Sequence, residues 1–252
     1  MLSVTKHDVT MKFADEEYPE TPYVFRPMLE GKVYEEGFLE YIRSLDIKGV
    51  YLDVGAHLGT HTIWFAMQCP STHVHAFEPM PRYAAAVRAN AELNGASGKV
   101  TVHQIGLDDG RTAPAVHTNG LEFHTARLDD LVQDRVAILK MDVEGMEVRV
   151  LAGAERILDK DRPEIFAEAF TTVERTTLEA ALRPYGYRNV GKVSVTGQPV
   201  YRFSAPSRVG VERMRPMWRR VPGPTRAAVW HLRHKLGGRV RAAAGVLRRL
   251  RA

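Results

Sequence analysis

The stretch VYLDVGAHLGTHT, residues 50–62, decides the fold because it joins a buried strand to a helix through a glycine turn. Val50–Val54 is a short apolar run, and a helix is predicted over Gly59–Gln68. Such a turn lets a ligand approach the backbone, and the start of the helix offers unpaired N–H groups. Two glycines between a strand and a helix also occur where nothing binds, so the turn alone leaves both interpretations open.

Outward from this turn, strands and helices alternate along the chain. The strands are continuous apolar runs, which is typical of a parallel sheet covered by helices on both faces. Gly106–Leu128 interrupts the alternation as a hairpin or loop excursion. The further predicted strands are His73–Phe77, Val100–Ile105, Val136–Met141, Glu164–Ala169 and a terminal hairpin of Tyr187–Val195 and Pro199–Ser204. The further predicted helices are Pro81–Asn94, Met146–Leu158 and Val173–Pro184.

The pattern divides the chain into three parts. Residues 1–49 are mixed, with prolines at 19, 22 and 27 between extended or turn segments and a short helix predicted over Gly37–Leu45. We expect this N-terminal part to cover the substrate side. Residues 50–206 form the α/β domain, and residues 207–252 form a basic tail.

Two acidic residues beside the glycine turn indicate which cofactor it serves. Glu78 follows the second strand, where a carboxylate can accept both hydroxyls of a ribose, although it also suits the start of the helix at Pro81. Asp53 precedes the first glycine, where an acid suits an ammonium group and disfavours a pyrophosphate. Gly55 and Gly59 are four apart, unlike the dinucleotide pattern G-x-G-x-x-G. A ribose bearing an amino acid, without phosphate, predicts S-adenosylmethionine.

Six short motifs carry a family resemblance: DVGAHLGTHT (53–62), FEP (77–79), LDDL (128–131), KMDVEGME (140–147), VLAGA (150–154) and PEIFAE (163–168). Through them the chain, from about residue 33 to 204, resembles the FkbM-type methyltransferases. The resemblance implies the class I methyltransferase fold, an α/β, Rossmann-like, seven-stranded and mostly parallel sheet whose last strand is antiparallel. It also implies S-adenosylmethionine as methyl donor and a hydroxyl acceptor on a sugar or natural product. The family usually has asparagine where this chain has His57.

The acids after the fourth strand are the candidates for catalysis. Methyl transfer to an alcohol needs aligned reactants and a group that takes the proton. If the chain is still extended beyond the strand, Asp142 and Glu144 both point to the carboxyl edge of the sheet. We expect Asp142 to be the base, with Glu144 or His57 as alternatives. The same acids also suit the first turn of the next helix.

Other site residues are assigned by their position at the same edge. We expect the cofactor to contact Asp53, Gly55, Ala56, His57, Gly59, Thr60, Glu78, Gly106, Leu107, Asp108 and Asp142. Glu168 closes the fifth strand and is the candidate for binding an acceptor hydroxyl, with a structural role as the alternative. Asp142 and Glu144 could also bind a divalent metal through oxygen, but without a third ligand we predict no metal site.

Charge separates the body of the protein from its tail. The tail carries twelve arginines and one lysine against one acid, whereas the other 206 residues carry 22 basic and 29 acidic side chains. An acidic body disfavours nucleic acid as a partner and leaves a small-molecule or saccharide acceptor. The apolar residues of the tail fall on one helical stripe, so the tail fits either a solvated extension or a helix on an anionic membrane.

Composition excludes several further kinds of protein. The single cysteine, Cys69, excludes an internal disulfide framework and a cysteine-rich zinc site. Without an 18-residue apolar run or a signal-like start, we expect a cytoplasmic protein, with contact at the inner face of the membrane as a role for the tail. The rival functions are a nicotinamide-dependent oxidoreductase, disfavoured by the glycine spacing, and a non-catalytic membrane-associated protein that acts through the tail.

Overall fold

A computed structural model of the protein describes residues 1–14, 22–110, 115–116, 122–194 and 198–206. The strands are β1 (Leu2–Lys6), β2 (Val9–Phe13), β3 (Gly49–Val54), β4 (Ser71–Phe77), β5 (Val100–His103), β6 (Gly106–Leu107), β7 (Ala115–Val116), β8 (Glu122–Phe123), β9 (Thr125–Ala126), β10 (Val136–Met141), β11 (Glu164–Glu168), β12 (Arg188–Lys192) and β13 (Val200–Ser204). The α-helices are α1 (Pro22–Leu29), α2 (Glu36–Ser44), α3 (Thr60–Gln68), α4 (Pro81–Leu93), α5 (Leu128–Leu131), α6 (Glu147–Ala152) and α7 (Thr172–Leu182). The basic tail, residues 207–252, and the predictions made for it lie outside the described residues.

Seven strands form the central sheet in the order β12-β13-β11-β10-β3-β4-β5. The strands β11, β10, β3, β4 and β5 run parallel to their neighbours in this series, and β13 pairs antiparallel with both β11 and β12. The strand β13 therefore lies between β11 and β12 and runs antiparallel to the other six strands of the sheet. This architecture confirms the predicted class I methyltransferase fold.

Side chains from each central strand alternate between two apolar cores. Tyr51 and Ile138 face each other across β3 and β10 and pack in the core that contains α2 and α3. Leu52 and Leu139, the next pair, pack in the core that contains α6 and α7. Because both faces of the strands are covered, the strands are apolar throughout, and this is the reason that they were recognisable in the sequence.

The N-terminal part differs from its prediction. Residues 22–29 form helix α1 instead of an extended or turn segment, and β1 and β2 form a hairpin that the sequence pattern did not indicate. Pro22 is the first residue of α1, where its missing N–H is not needed. Val24 and Met28, four residues apart, bury one face of the helix, so packing retains it even with Pro27 inside.

Side-chain amides attach the hairpin beside the glycine turn. Asn94 accepts from Lys12 N at 2.8 Å and donates to Lys12 O at 2.7 Å. Asn90 accepts from Ala14 N at 2.7 Å and donates to Leu58 O, within the turn, at 2.8 Å. Helix α4 therefore holds the N-terminal part and the glycine turn in a fixed relation.

One predicted helix is shorter than expected. The helix predicted over Met146–Leu158 is divided into α6 and a π-helical turn at Ile157–Asp161. The break lies at Gly153, where an added Cβ would be 2.0 Å from Asp108 O, so close packing of two backbones ends α6 there. None of the described helices is long and apolar enough to cross a membrane.

Candidate active site

A cavity opens at the carboxyl edge of β3, β4 and β10, where the loops that follow these strands meet. In open α/β sheets ligands bind at this edge. Its polar lining residues are Tyr23, Tyr34, His57, Thr60, His61, Glu78, Tyr83, Lys140, Asp142, Glu144 and Gln198. The cavity thus contains side chains from the N-terminal part, the glycine turn and the loops of three strands.

The glycine turn is held between its two neighbouring loops. Gly55 has φ +77, and an added Cβ would lie 1.8 Å from Asp142 O. Gly59 has φ +79, and an added Cβ would lie 3.1 Å from a methyl of Val87. The backbone N–H groups of Gly55 and Ala56 both donate to Phe77 O at 3.0 Å. Glycine is required here because the neighbouring backbone leaves no room for a side chain.

Glu78 lies where the sequence placed it, at the end of β4 against the cavity. Its Oε2 accepts from His57 N at 2.8 Å, and its Oε1 accepts from Met80 N at 2.8 Å. Burial raises the pKa of this carboxyl to about 6, although the two backbone donors oppose the shift. Each oxygen keeps further acceptor capacity, so the carboxylate can also accept hydrogen bonds from a ligand.

Asp53 is not placed where the sequence analysis expected it. The residue is completely buried and does not line the cavity. Its Oδ2 accepts from Thr62 Oγ1 at 2.6 Å, and its Oδ1 lies 3.0 Å from Lys140 Nζ. Asp53 is therefore paired within the protein through its ion pair with Lys140 and does not face the cavity.

Lys140 is a lining residue to which the sequence analysis gave no role. It is paired directly with Asp53 across β10 and β3 and also donates to Gly55 O at 3.1 Å. Burial alone would lower the pKa of Lys140, but the carboxylates of Asp53, Asp142 and Glu35 raise it. The side chain is therefore a buried ammonium. The sequence feature that could have indicated a role for Lys140 is its position as the single charged residue inside the apolar run Val136–Met141.

The two acids that follow the fourth predicted strand lie on either side of Val143, and Glu144 begins a turn. Asp142 lines the cavity, and its N–H donates to Val54 O at 3.0 Å, at the end of the β10–β3 pairing. Glu144 has φ 54 and is exposed, so the chain is not extended there, and the condition for two carboxylates along one strand face is not met. Both acids nevertheless line the cavity. Glu147 Oε1 accepts from Val143 N at 3.1 Å and stabilises the turn.

Two other predicted site residues lie outside the lining. Glu168, at the end of β11, is buried and faces a smaller depression next to the cavity, with Glu144 at their common edge. Asp108 is buried, forms an ion pair with Arg149 at 2.8 Å and accepts from Thr125 Oγ1 at 2.8 Å, which anchors its loop. In the part of the chain that the structure describes, no group of three or more His, Cys, Asp or Glu side chains is arranged to hold a metal ion.

The remaining predicted contacts are brought together in the cavity. Its lining includes Gly55, Ala56, His57, Thr60, Gly106 and Leu107, whereas Gly59 lies behind it against Val87. The ring of His57 packs on Tyr83 with centroids 4.4 Å apart, beside Glu78. This histidine therefore belongs to the Glu78 end of the cavity.

Aromatic side chains that sequence reasoning missed form the other end. Tyr23 and Tyr34 come from the N-terminal part, with ring centroids 5.6 Å apart. Tyr34 also stacks on His61, whose Nε2 lies 3.5 Å from Glu35 Oε2. Burial lowers the pKa of His61 to about 4, so its imidazole is neutral at physiological pH. No motif marks Tyr23 or Tyr34, because they meet His61 only when residues 22–45 fold against the rest of the chain.

Comparison with known proteins identifies what this architecture resembles. The profile of the methyltransferase FkbM domain matches residues 53–188. The chain is 29% identical over 194 residues to the 31-O-demethyl-FK506 methyltransferase FkbM of Streptomyces tacrolimicus, an alignment that covers 58% of this chain and 72% of the relative. It is 26% identical over 144 residues to methyltransferase 1 of Beauveria bassiana, which covers 41% of this chain and 57% of that protein.

A solved structure supports the same fold. The crystal structure of methyltransferase FkbM from Methylobacillus flagellatus aligns with a TM-score of 0.51 at 17% identity and covers 63% of this chain. The alignment covers only 43% of that protein, so the chain spans less than half the length of this structural relative.

Proposed function

The chain belongs to the FkbM methyltransferase family, and from this premise we propose that it transfers a methyl group from S-adenosylmethionine to a hydroxyl group of a sugar or another secondary metabolite. The observation that carries the proposal is the buried carboxylate of Glu78 at the cavity, next to the glycine turn. When bound, S-adenosylmethionine supplies an electrophilic methyl group on a sulfonium.

The residues present fit this cofactor. Glu78 offers acceptor oxygens to the two hydroxyls of a ribose. Beyond it, Ile105, Leu107 and Phe123 line the cavity with apolar surface, which suits a purine ring. On the other side, Lys140 and Asp142 present opposite charges, which suit the zwitterionic amino acid part.

For the proton of the acceptor hydroxyl, we assign Asp142 as the base. It lines the cavity at the end of β10, between the glycine turn and the aromatic end. Glu144 and His57 are the alternative bases. Glu144 is exposed at the rim of the cavity, and the ring of His57 packs on Tyr83 at the Glu78 end, so both are placed less directly than Asp142. A carboxylate that takes the proton as the O–C bond forms makes the alcohol a stronger nucleophile.

The acceptor end supports a neutral hydroxyl compound. Tyr23 and Tyr34 offer ring faces, and Gln198 lines the same cavity. Glu144, at the rim, disfavours an anionic acceptor such as a phosphate ester. The relative from Streptomyces tacrolimicus is named for 31-O-demethyl-FK506, and that name agrees with a hydroxyl acceptor.

Calorimetric titration with S-adenosylhomocysteine, with NADH in parallel, tests the cofactor. We expect binding of S-adenosylhomocysteine and none of NADH; binding of NADH alone would overturn the proposal in favour of an oxidoreductase. Incubation with methyl-¹³C-labelled S-adenosylmethionine and a panel of sugars, phenols and amines then tests the acceptor. The carbon chemical shift of the product distinguishes an O-methyl from an N-methyl or C-methyl group, and transfer only to amines would contradict the hydroxyl assignment.

A further inference from the structure

The ammonium of Lys140 has hydrogen-bonding capacity left over. Its Nζ lies 3.0 Å from Asp53 Oδ1 and donates to Gly55 O at 3.1 Å. An ammonium has three N–H donors, and these two contacts occupy at most two of them. Among the described residues Nζ makes no third hydrogen bond or ion pair. The side chain is only 5% exposed and lines the cavity.

Lys140 is also distinctive in charge. Of the described side chains that line the cavity, it is the only lysine or arginine. His61, which lines the same cavity, is a neutral imidazole because burial lowers its pKa to about 4. A ligand carboxylate in this cavity therefore has one permanently cationic side chain to bind.

We propose that Lys140 binds the carboxylate of the amino acid part of the cofactor. This inference rests on the proposed use of S-adenosylmethionine. Its geometry follows from the two contacts already made: Lys140 is hydrogen-bonded to the glycine turn at Gly55, whereas Glu78 marks the ribose position on the neighbouring strand. With a ribose at Glu78, Lys140 beside Gly55 would be the residue that holds the carboxylate of the amino acid part.

Asp53 then acts through Lys140 and not on the ligand. It is completely buried, and Lys140 lies between it and the cavity. As the counter-ion, Asp53 aligns the ammonium but also competes with a ligand carboxylate for the same charge. Asp142 and Glu35 raise the pKa of Lys140 as well, and both remain to favour the ammonium when Asp53 is replaced. Removing the charge of Asp53 should therefore strengthen recognition of the ligand carboxylate. An acid that bound the ligand ammonium directly would give the opposite result.

The test compares two ligands that differ only in the carboxylate. S-adenosylhomocysteine carries it, whereas decarboxylated S-adenosylhomocysteine, S-adenosyl-3-thiopropylamine, keeps the adenosine, the thioether and the ammonium. Calorimetry on the full chain gives the ratio of their dissociation constants, called here the carboxylate preference. A hydrogen bond to a charged group predicts a carboxylate preference of roughly tenfold or more in the wild type.

Two variants assign this preference to Lys140. The double variant Lys140→Gln with Asp53→Asn removes both charges without leaving one buried alone, and we expect its carboxylate preference to fall to about twofold or less. Asp53→Asn alone keeps Lys140, and we expect its carboxylate preference to exceed that of the wild type. The matched control removes a surface pair, Lys6→Gln with Glu36→Gln, whose partners lie 2.9 Å apart, and should leave the preference unchanged.

The outcomes separate this inference from the proposed function. A wild type that binds S-adenosylhomocysteine without carboxylate preference, or a double variant that keeps the preference, overturns the role of Lys140 and leaves the cofactor assignment standing. A wild type that binds neither ligand overturns both. If circular dichroism shows the double variant to be unfolded, Asp53→Asn alone decides, since a lower carboxylate preference than wild type contradicts the inference.

Discussion

Replacing Glu78 by glutamine tests how the cavity binds its cofactor. Both oxygens of Glu78 accept backbone hydrogen bonds, one from His57 and one from Met80, each at 2.8 Å. Glutamine keeps the size of the side chain and one acceptor oxygen. It removes the charge and turns an NH₂ group toward one of the two backbone donors. We expect the variant to fold and to bind S-adenosylhomocysteine much more weakly.

The magnitude follows from the hydrogen bonds that a ribose would make. A hydrogen bond to a charged group contributes about 1.5–3 kcal/mol. Two hydroxyls bound to Glu78 would lose roughly 3 kcal/mol or more on substitution, since the remaining amide oxygen retains part of the interaction. Because 1.4 kcal/mol changes a dissociation constant tenfold, the constant should rise on the order of 100-fold.

The raised pKa of Glu78 adds a pH dependence with a definite sign. Burial raises this pKa to about 6, so the group is mostly ionised at pH 7 and mostly protonated at pH 5. If the carboxylate binds the ribose, the affinity of the wild type should fall roughly tenfold between pH 7 and pH 5. Glu78→Gln should lack this dependence.

The substitution Glu78→Gln should affect the stability of the fold differently from the affinity for the ligand. A carboxyl whose pKa is higher in the folded state than in the unfolded state weakens folding above pH 6, here by about 2 kcal/mol, and the penalty vanishes below its ordinary pKa. Glu78→Gln removes the penalty, but its NH₂ group leaves one backbone N–H without an acceptor, which costs about 1–3 kcal/mol. Because the two effects are similar in size and opposite in sign, the Tm at pH 7 should change little.

The assay is isothermal titration of S-adenosylhomocysteine into wild type, Glu78→Gln and the control Glu92→Gln, each at pH 7 and pH 5, with a thermal scan of each protein. Glu92 is exposed on α4 and should have no effect. An affinity of Glu78→Gln within twofold of wild type would refute the assignment of this carboxylate to the cofactor. Weak binding together with a large fall in Tm would instead show that Glu78 holds the loops together.

Three further predictions test other parts of the molecule. The first uses an acceptor identified by the labelled-methyl panel and measures release of S-adenosylhomocysteine. Asp142→Asn should lower kcat by about 100-fold or more, and Glu144→Gln should lower it much less. A larger effect of Glu144→Gln would assign the base to Glu144. Gly55→Ala should lower the free energy of unfolding, measured in urea, by about 3 kcal/mol or more, because its Cβ would lie 1.8 Å from Asp142 O. The control Gly98→Ala has open space around it and should change the free energy of unfolding by less than about 1 kcal/mol. Removal of residues 207–252 should leave the affinity for S-adenosylhomocysteine unchanged, because the residues assigned to the cofactor lie within the family match, residues 53–188. Co-sedimentation with phosphatidylserine vesicles separates a membrane-binding tail from a solvated one.

Much of the fold could be predicted because its signals are local. The strands of the parallel sheet are apolar runs, and Asn94 with Gly95 marks the end of α4. The N-terminal part was misread because α1 contains Pro27 and is stabilised by the burial of Val24 and Met28 against the rest of the protein. Propensity alone argues against such a helix, and only its packing retains it.

The candidate site was likewise predicted in part from local sequence features and in part only from the tertiary structure. The glycine turn, Glu78 and Asp142 could be located from the sequence, because parallel strands bring their carboxyl ends to one edge and the residues after each strand must lie there. Which of those acids faces a ligand depends on what each side chain meets. Asp53 and Glu78 both close parallel strands, but Asp53 lies beside Lys140 across β10 and is used internally, whereas Glu78 meets two backbone donors and the cavity.

The sequence by itself thus determined the class of sheet, the edge that carries the cavity and the family motifs, since these depend on periodicity and on patterns within a few residues. Only the tertiary structure decided that Lys140 is the one lysine or arginine among the described residues of the cavity, that Glu144 lies exposed at its rim and that Tyr23 and Tyr34 line it from the N-terminal part. The physical reason is that burial, ion pairing and exposure are properties of contacts between residues far apart in the chain, such as Asp53 with Lys140 or Gln198 with Glu35.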